Sequence, residues 1–301
     1  MSTATQPASS PQVQINLTSA TLSMRRRITN VVATVAIWLA VAIAVLPIVL
    51  VTYYVIIKGG KMINMDFLTQ RLNRQLQNPG GGIHPAIAGT LVMTGTASLM
   101  AIPLGVLGAI YLNEYGKQNQ LARTIRTMSD VMTGVPSVVM GLFIYTAVVL
   151  STGFSGLAGA LALACLMLPV IIRSSEEMLR LVPDELRQAS LALGARKWRT
   201  TLTVVIPASI SGIVSGSLLA IARAAGETAA IVLVVGTVLR TNWSLDGSNT
   251  ALPVTIYKNA TEPFDAATDR AWGAALTLVV IVLLTTLLGR LIASRFAIKE
   301  R

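Results

Sequence analysis

Apolar residues run through this chain in blocks too long for a soluble core, and the polar positions gather between them. A membrane-crossing helix needs about 20 mainly apolar residues. Six segments reach that length, at roughly 30–57, 86–112, 128–150, 157–173, 204–239 and 271–293. The pattern predicts an all-α integral membrane protein with six transmembrane helices carried by residues 24–301. The fifth block is too long for one straight crossing. It contains Pro207, Gly212, Gly216, Gly226 and Gly236, with Arg223 and Glu227 among them. A tilted or broken helix leading into a partly re-entrant segment on the outer side is expected there.

Composition agrees with the pattern. Of the 301 residues, 53% are hydrophobic and 12% charged, against about 25% charged in a soluble domain. Lipid must therefore cover much of the outside. Residues 1–23 are polar, uncharged and rich in Ser, Thr, Gln and Pro, as expected of a disordered cytoplasmic tail. The basic cluster Arg25, Arg26 and Arg27 then precedes a full-length span, the order of an uncleaved first helix and not of a signal peptide.

Lys and Arg in the connections set the direction, because they gather on the cytoplasmic side. With the N-terminus inside, the inner segments hold sixteen of them, including Lys117, Arg123, Arg126, Arg173, Arg180, Arg187, Arg196, Lys197, Arg199, Arg290, Arg295, Lys299 and Arg301. The outer segments hold Lys58, Lys61, Arg71, Arg74, Arg240, Lys258 and Arg270. Both termini are expected in the cytoplasm and the chain in the cell membrane. The net charge of +11 comes from short basic clusters between apolar runs with few aromatics among them. That arrangement orients spans and meets anionic headgroups, and nucleic acid is set aside.

Catalytic chemistry is not evident. Cys165 and His84 are the sole residues of their types, so no intrachain disulfide forms and no metal site or cofactor is expected. No phosphate-cradling loop of the form GxxxxGK[ST] occurs, so ATP hydrolysis would fall to a separate subunit. The outer connections 58–85 and 240–270 are long, polar and turn-rich. They could meet a soluble partner or simply be solvated.

One inner stretch is unlike its surroundings. DELRQASLALGARKWRTTLTVVIP at 184–207 is charged and helix-favouring between two apolar spans. Pro183, Asp184 and Glu185 suit a first helical turn, with acids at the positive end of the dipole. Leu186, Ala189 and Leu193 share a face, Gly194 can end the helix, and Trp198, Leu202 and Val205 form the stripe of a second one that meets the fifth span at Pro207. A cytoplasmic hairpin over about 176–206 is expected, either a docking element or a plain linker.

Here a family resemblance enters. Gln188, Ala189 and Ser190, then Gly194, then Ile206 and Pro207, match the spacing of the EAA loop of ABC-importer permeases, with Gln188, Ser190 and Ile206 departing from its consensus. IARAAGETAAIVLVVG at 221–236, PVIIRSSEEMLRLVPDELRQASLALGARKW at 169–198 and GGGIHPAIAGTL before the second span resemble the PstA-type permease subunits of phosphate-uptake ABC importers. The resemblance implies an ABC importer type I permease fold and import of inorganic phosphate. It implies three partners: a PstC-type second permease, a PstB-type ATPase dimer and a PstS-type phosphate-binding protein outside. It also implies ATPase coupling through Gln188, Ala189, Ser190, Gly194, Ile206 and Pro207. A permease for another oxyanion or small solute, or a gradient-driven secondary transporter, is the alternative.

Arg223 stands out on physical grounds as well. Sixteen residues past Pro207, it lies about 24 Å along a helix, deep in the hydrocarbon, where an arginine must be paired or face water. Glu227, four residues on, is expected to neutralise it. The two are either a structural ion pair at a helix break or an anion way-station, since guanidinium grips a tetrahedral oxyanion through paired hydrogen bonds. Arg173, at the end of the fourth span, and Thr228, a possible donor, complete the expected substrate pathway.

Overall fold

The computed structural model describes residues 24–116 and 119–296, with side chains through 291. The expected tail at 1–23 and the charges of Lys117, Arg295, Lys299 and Arg301 lie outside it. The chain forms two compact units, residues 1–53 and 54–301. The described part of the first is helix α1 (Met24–Gly60) as far as Tyr53. Its apolar side chains, Trp38 and Ile43 among them, are exposed, as suits a surface in contact with lipid.

The second unit begins with the last turns of α1, where Lys58 lies over the rings of Tyr54 and Trp272. Helix α2 (Met65–Thr69) starts at Asn64, whose carboxamide oxygen accepts the Phe67 N–H at 2.7 Å, and it buries Phe67. Helix α3 (His84–Gly116) closes in a π-helical turn from Tyr111. Helix α4 (Gln120–Gly134) begins at Asn119, which accepts the Ala122 N–H at 2.8 Å.

Helix α5 (Ser137–Thr152) then leaves α4 at a bend of 106°. Pro136 has no N–H and disfavours the helical region at Val135, which adopts φ −71°, ψ 127°. The third span, expected at 128–150, is broken by this bend. Its N-terminal part belongs to amphipathic α4, and the apolar run proper begins at Ser137.

Helix α6 (Gly156–Arg180) forms the centre of the unit. It is capped by Ser155, whose hydroxyl accepts the Ala158 N–H at 3.1 Å. Small residues such as Ala158, Ala160 and Ala162 let α3 approach closely, and Leu163, Met167 and Ile171 fill the core between them. The helix runs to Arg180, well past the expected end at 173.

The hairpin follows as helix α7 (Asp184–Ala192) and the start of helix α8 (Lys197–Ala225). Pro207 does not mark a helix end. Thr201–Val205 form a π-helical stretch whose extra residue takes up the register that Pro207, lacking an N–H, would break. The hairpin's second arm and the fifth span are therefore one helix.

That helix stops at Ala225, inside the apolar block at 204–239 for which a tilted or broken helix was expected. Gly226 and the short α9 (Ala229–Val232) follow it. The connection at 240–270, expected to be turn-rich, contains helix α10 (Leu252–Ala260) with Leu252, Val254, Thr255 and Asn259 buried. Helix α11 (Asp265–Phe296) ends the described chain.

Among the described residues every regular element is helical. Five helices are long and apolar enough to cross a membrane, and six if the bent α4–α5 pair counts as one.

Candidate functional site

A cavity of about 180 Å³ lies where the α4–α5 bend, α6 and the end of α8 meet. Met132, Pro136 and Ser137 wall one side, Met167 and Pro169 another, and Arg223 and Glu227 a third. Arg223 stands on the last turn of α8 and its side chain is exposed. The helix tightens as it ends: the Gly226 N–H donates to the Arg223 carbonyl at 3.2 Å and the Glu227 N–H to that of Ala224 at 3.1 Å.

This ending corrects the expected partnership. Four residues make one helical turn only if the helix continues, and it breaks between these two. Among the described residues Arg223 and Glu227 form no ion pair, although both line the cavity. Glu227 Oε1 instead accepts the Ala229 N–H at 3.1 Å, at the start of α9. Close approach holds that turn in place. A Cβ on Gly141 of α5 would lie 2.7 Å from the Ala230 carbonyl oxygen, so glycine lets α9 pack directly on α5.

The other two expected pathway residues lie off the cavity wall. Thr228 stands at the start of α9, where its carbonyl accepts the Val232 N–H at 3.0 Å. Arg173 lies on α6 one turn beyond Pro169 and is 47% exposed. It reaches Asp130 of α4 at 3.6 Å and Glu177 at 3.2 Å. Pairs this exposed contribute about 0–1 kcal/mol each.

The hairpin residues are brought together as a turn. Gly194 has φ +82°, its N–H donates to the Leu191 carbonyl at 2.9 Å, and the Ala195 N–H donates to that of Ser190 at 3.2 Å. The Ser190 and Thr200 hydroxyls are 2.9 Å apart and tie the two arms. Gln188 and Ala189 are exposed on α7, and Ile206 and Pro207 lie inside α8. Leu186, Leu193, Trp198 and Leu202 leave an exposed apolar surface on the hairpin.

Two buried acids carry structure that the sequence pattern missed. Glu176 of α6 is 2% exposed and accepts from Arg126 of α4 at 2.7 Å and from Arg180 at 2.6 Å. Glu114, at the end of α3, is 7% exposed and accepts from Arg187 of α7 at 3.0 Å. The i,i+4 spacing of Glu176 and Arg180 is readable from sequence; the partnerships with Arg126 and Arg187 join residues far apart along the chain. The Gly134–Pro136 punctuation inside an apolar run was the available signal for the bend.

An all-helical unit with a broken helix at a charged cavity and a helical hairpin at one end suits a transporter's membrane component, and similarity to known proteins agrees. Residues 101–298 match the family described as binding-protein-dependent transport system inner membrane component, and the chain belongs to it. A chain in the crystal structure of a bacterial alginate ABC transporter, in complex with an alginate pentasaccharide-bound periplasmic protein, superposes with TM-score 0.62. It is 15% identical, over 90% of this chain and 97% of that one. The fold is that of an ABC importer type I permease, and the chain is a multi-pass membrane protein.

Within that class, the phosphate transport system permease protein PstA 1 of Mycobacterium tuberculosis (strain CDC 1551 / Oshkosh) is 43% identical over 93% of this chain and 93% of its own length. PstA of Yersinia pestis is 44% identical over 72% of this chain and 74% of its own. The chain belongs to the PstA family.

Proposed function

We propose that this chain is the membrane-spanning permease subunit of an ATP-driven importer that passes inorganic phosphate into the cytoplasm. The observation that carries the reading is 43% identity to a phosphate transport system permease over nearly the whole chain. The cavity chemistry supports it. Arg223 faces the cavity without an ion pair to Glu227, so its planar fork is available to a tetrahedral oxyanion. Glu227 on the same wall keeps the empty site near neutral, and its like charge opposes the anion once bound, which favours release over tight retention.

ATP hydrolysis belongs to a partner. The exposed apolar surface of the hairpin, with Gln188, Ala189 and Ser190 on α7, is the dock for a PstB-type ATPase dimer. A PstC-type second permease completes the membrane pathway, and a PstS-type binding protein delivers phosphate from outside. Both termini are cytoplasmic, which puts the hairpin on the ATPase side and residues 240–251 on the binding-protein side. Arg173 and Thr228 act around the pathway, Arg173 by tying α6 to α4 and Thr228 by starting the turn that presents Glu227.

Uptake of labelled phosphate by the reconstituted four-part complex tests this. ATP-dependent uptake that excess sulfate leaves intact is expected. Uptake that follows an ion gradient without ATP would overturn the importer reading, and equal competition by sulfate would overturn the choice of phosphate.

A further inference from the structure

Arg187 lies one residue before the segment read as the ATPase dock, and its surroundings are unusual for a residue on a short surface helix. Its side chain is 16% exposed, and all five of its N–H donors have acceptors. Nε and Nη2 donate to Glu114 Oε1 at 3.1 and 3.0 Å. Nη2 also donates to the Leu179 carbonyl at 2.8 Å. Nη1 donates to the Val182 carbonyl at 2.6 Å and to Asp184 Oδ1 at 3.0 Å. Leu179 belongs to the last turn of α6, where the carbonyls lack the i+4 N–H of a continuing helix, so a cation is favourable there. Glu114 belongs to the π-helical end of α3. One guanidinium thus fastens α7 to the ends of both α3 and α6.

The contacts continue from there. Arg126 of α4 donates to the Leu112 carbonyl at 2.8 Å, two residues from Glu114, and also holds buried Glu176 of α6. Farther along α4, Asp130 meets Arg173, and Met132, two residues on, lines the cavity that Arg223 also lines. A polar chain therefore runs from the hairpin through the end of α3 to the helix that walls the cavity.

We infer that Arg187, with Glu114, is the positioning residue that delivers displacement of the hairpin to the end of α3, and through Arg126 to the α4 wall of the cavity. The inference rests on the reading of the hairpin as the ATPase dock. Without the clasp α7 could still bind the ATPase, yet it would move independently of the helices that shape the pathway. Lysine retains the charge but has three donors on a flexible stem and cannot satisfy acceptors on three elements at once.

The test uses the reconstituted complex with its ATPase, and reads retained ATPase, ATP hydrolysis and labelled phosphate moved per ATP. Arg187→Lys is expected to retain the ATPase and hydrolyse ATP within about twofold of wild type, while phosphate per ATP falls about tenfold, the scale of a typical coupling energy. Glu114→Gln should lower the same ratio. The double variant should be no worse than Arg187→Lys alone, because both remove one interaction. A wild-type ratio in Arg187→Lys, or losses that multiply in the double variant, would overturn the relay. If Arg187→Lys fails to assemble, Glu114→Gln decides alone, and a wild-type ratio there overturns it. A separate arm places a cysteine at Leu191 in a Cys165→Ala background. Failure to cross-link to the ATPase would overturn the docking reading itself, whatever the ratios show.

Discussion

Arg270 shows what a buried guanidinium does when, among the described residues, no acid pairs with it. It lies in the second turn of α11 and donates to the carbonyls of Leu76, Asn78 and Gly80 and to the Asn259 side chain. These acceptors fold the tip of the 58–85 connection onto α10 and α11. Arg270→Gln is expected to release that tip and to cost about 2 kcal/mol, since hydrogen bonds to a charged group are worth roughly 1.5–3 kcal/mol each and only part can re-form. Hydrogen exchange across residues 72–82 checks it, and unchanged protection would contradict the assignment. At this scale the sequence speaks through types and spacing. It singled out Arg223 and Glu227, which both line the cavity, yet misjudged their pairing, because i,i+4 geometry presumes a helix that Gly226 interrupts. The pairing of Glu114 with Arg187 and of Glu176 with Arg126 gave no such signal, since each arginine comes from another element.

Among the elements, the hairpin turn is the most exacting. Gly194 holds φ +82°, and nothing lies within 4 Å of the position a Cβ would take. Any penalty for substitution is therefore backbone strain and not collision, about 1–2 kcal/mol for a branched residue and less for asparagine. Gly194→Val is expected to impair transport while Gly194→Asn largely preserves it. Phosphate uptake by the two variants decides, and equal loss in both would point to a steric role the structure does not contain. Turn chemistry of this kind was readable from the sequence because it is local. The α4–α5 bend left only the Gly134–Pro136 punctuation as a signal, because an apolar window slides smoothly over Pro136 and averages the break away. Pro207 misled in the opposite sense: a π-helical stretch absorbs it and the helix continues.

For the whole molecule, the long apolar blocks and the shortage of charge were enough to read an all-helical membrane protein, since bilayer thickness imposes the length of every span. The sidedness proposed from Lys and Arg makes its own prediction. In a Cys165→Ala background, a cysteine at Ser248 should react with an impermeant thiol reagent added to intact cells, and one at Leu191 should not. The reverse pattern would invert the molecule. The central claim is that Arg223 meets the transported oxyanion in the cavity between the α4–α5 bend, α6 and α8. Among the described residues Arg223 has no ion pair with Glu227 to be broken, so Arg223→Lys should assemble at the wild-type level. Phosphate uptake per assembled complex in Arg223→Lys is the most direct measurement. The account predicts a loss of about tenfold or more, because lysine keeps the charge without the planar fork, and uptake at the wild-type rate would contradict it.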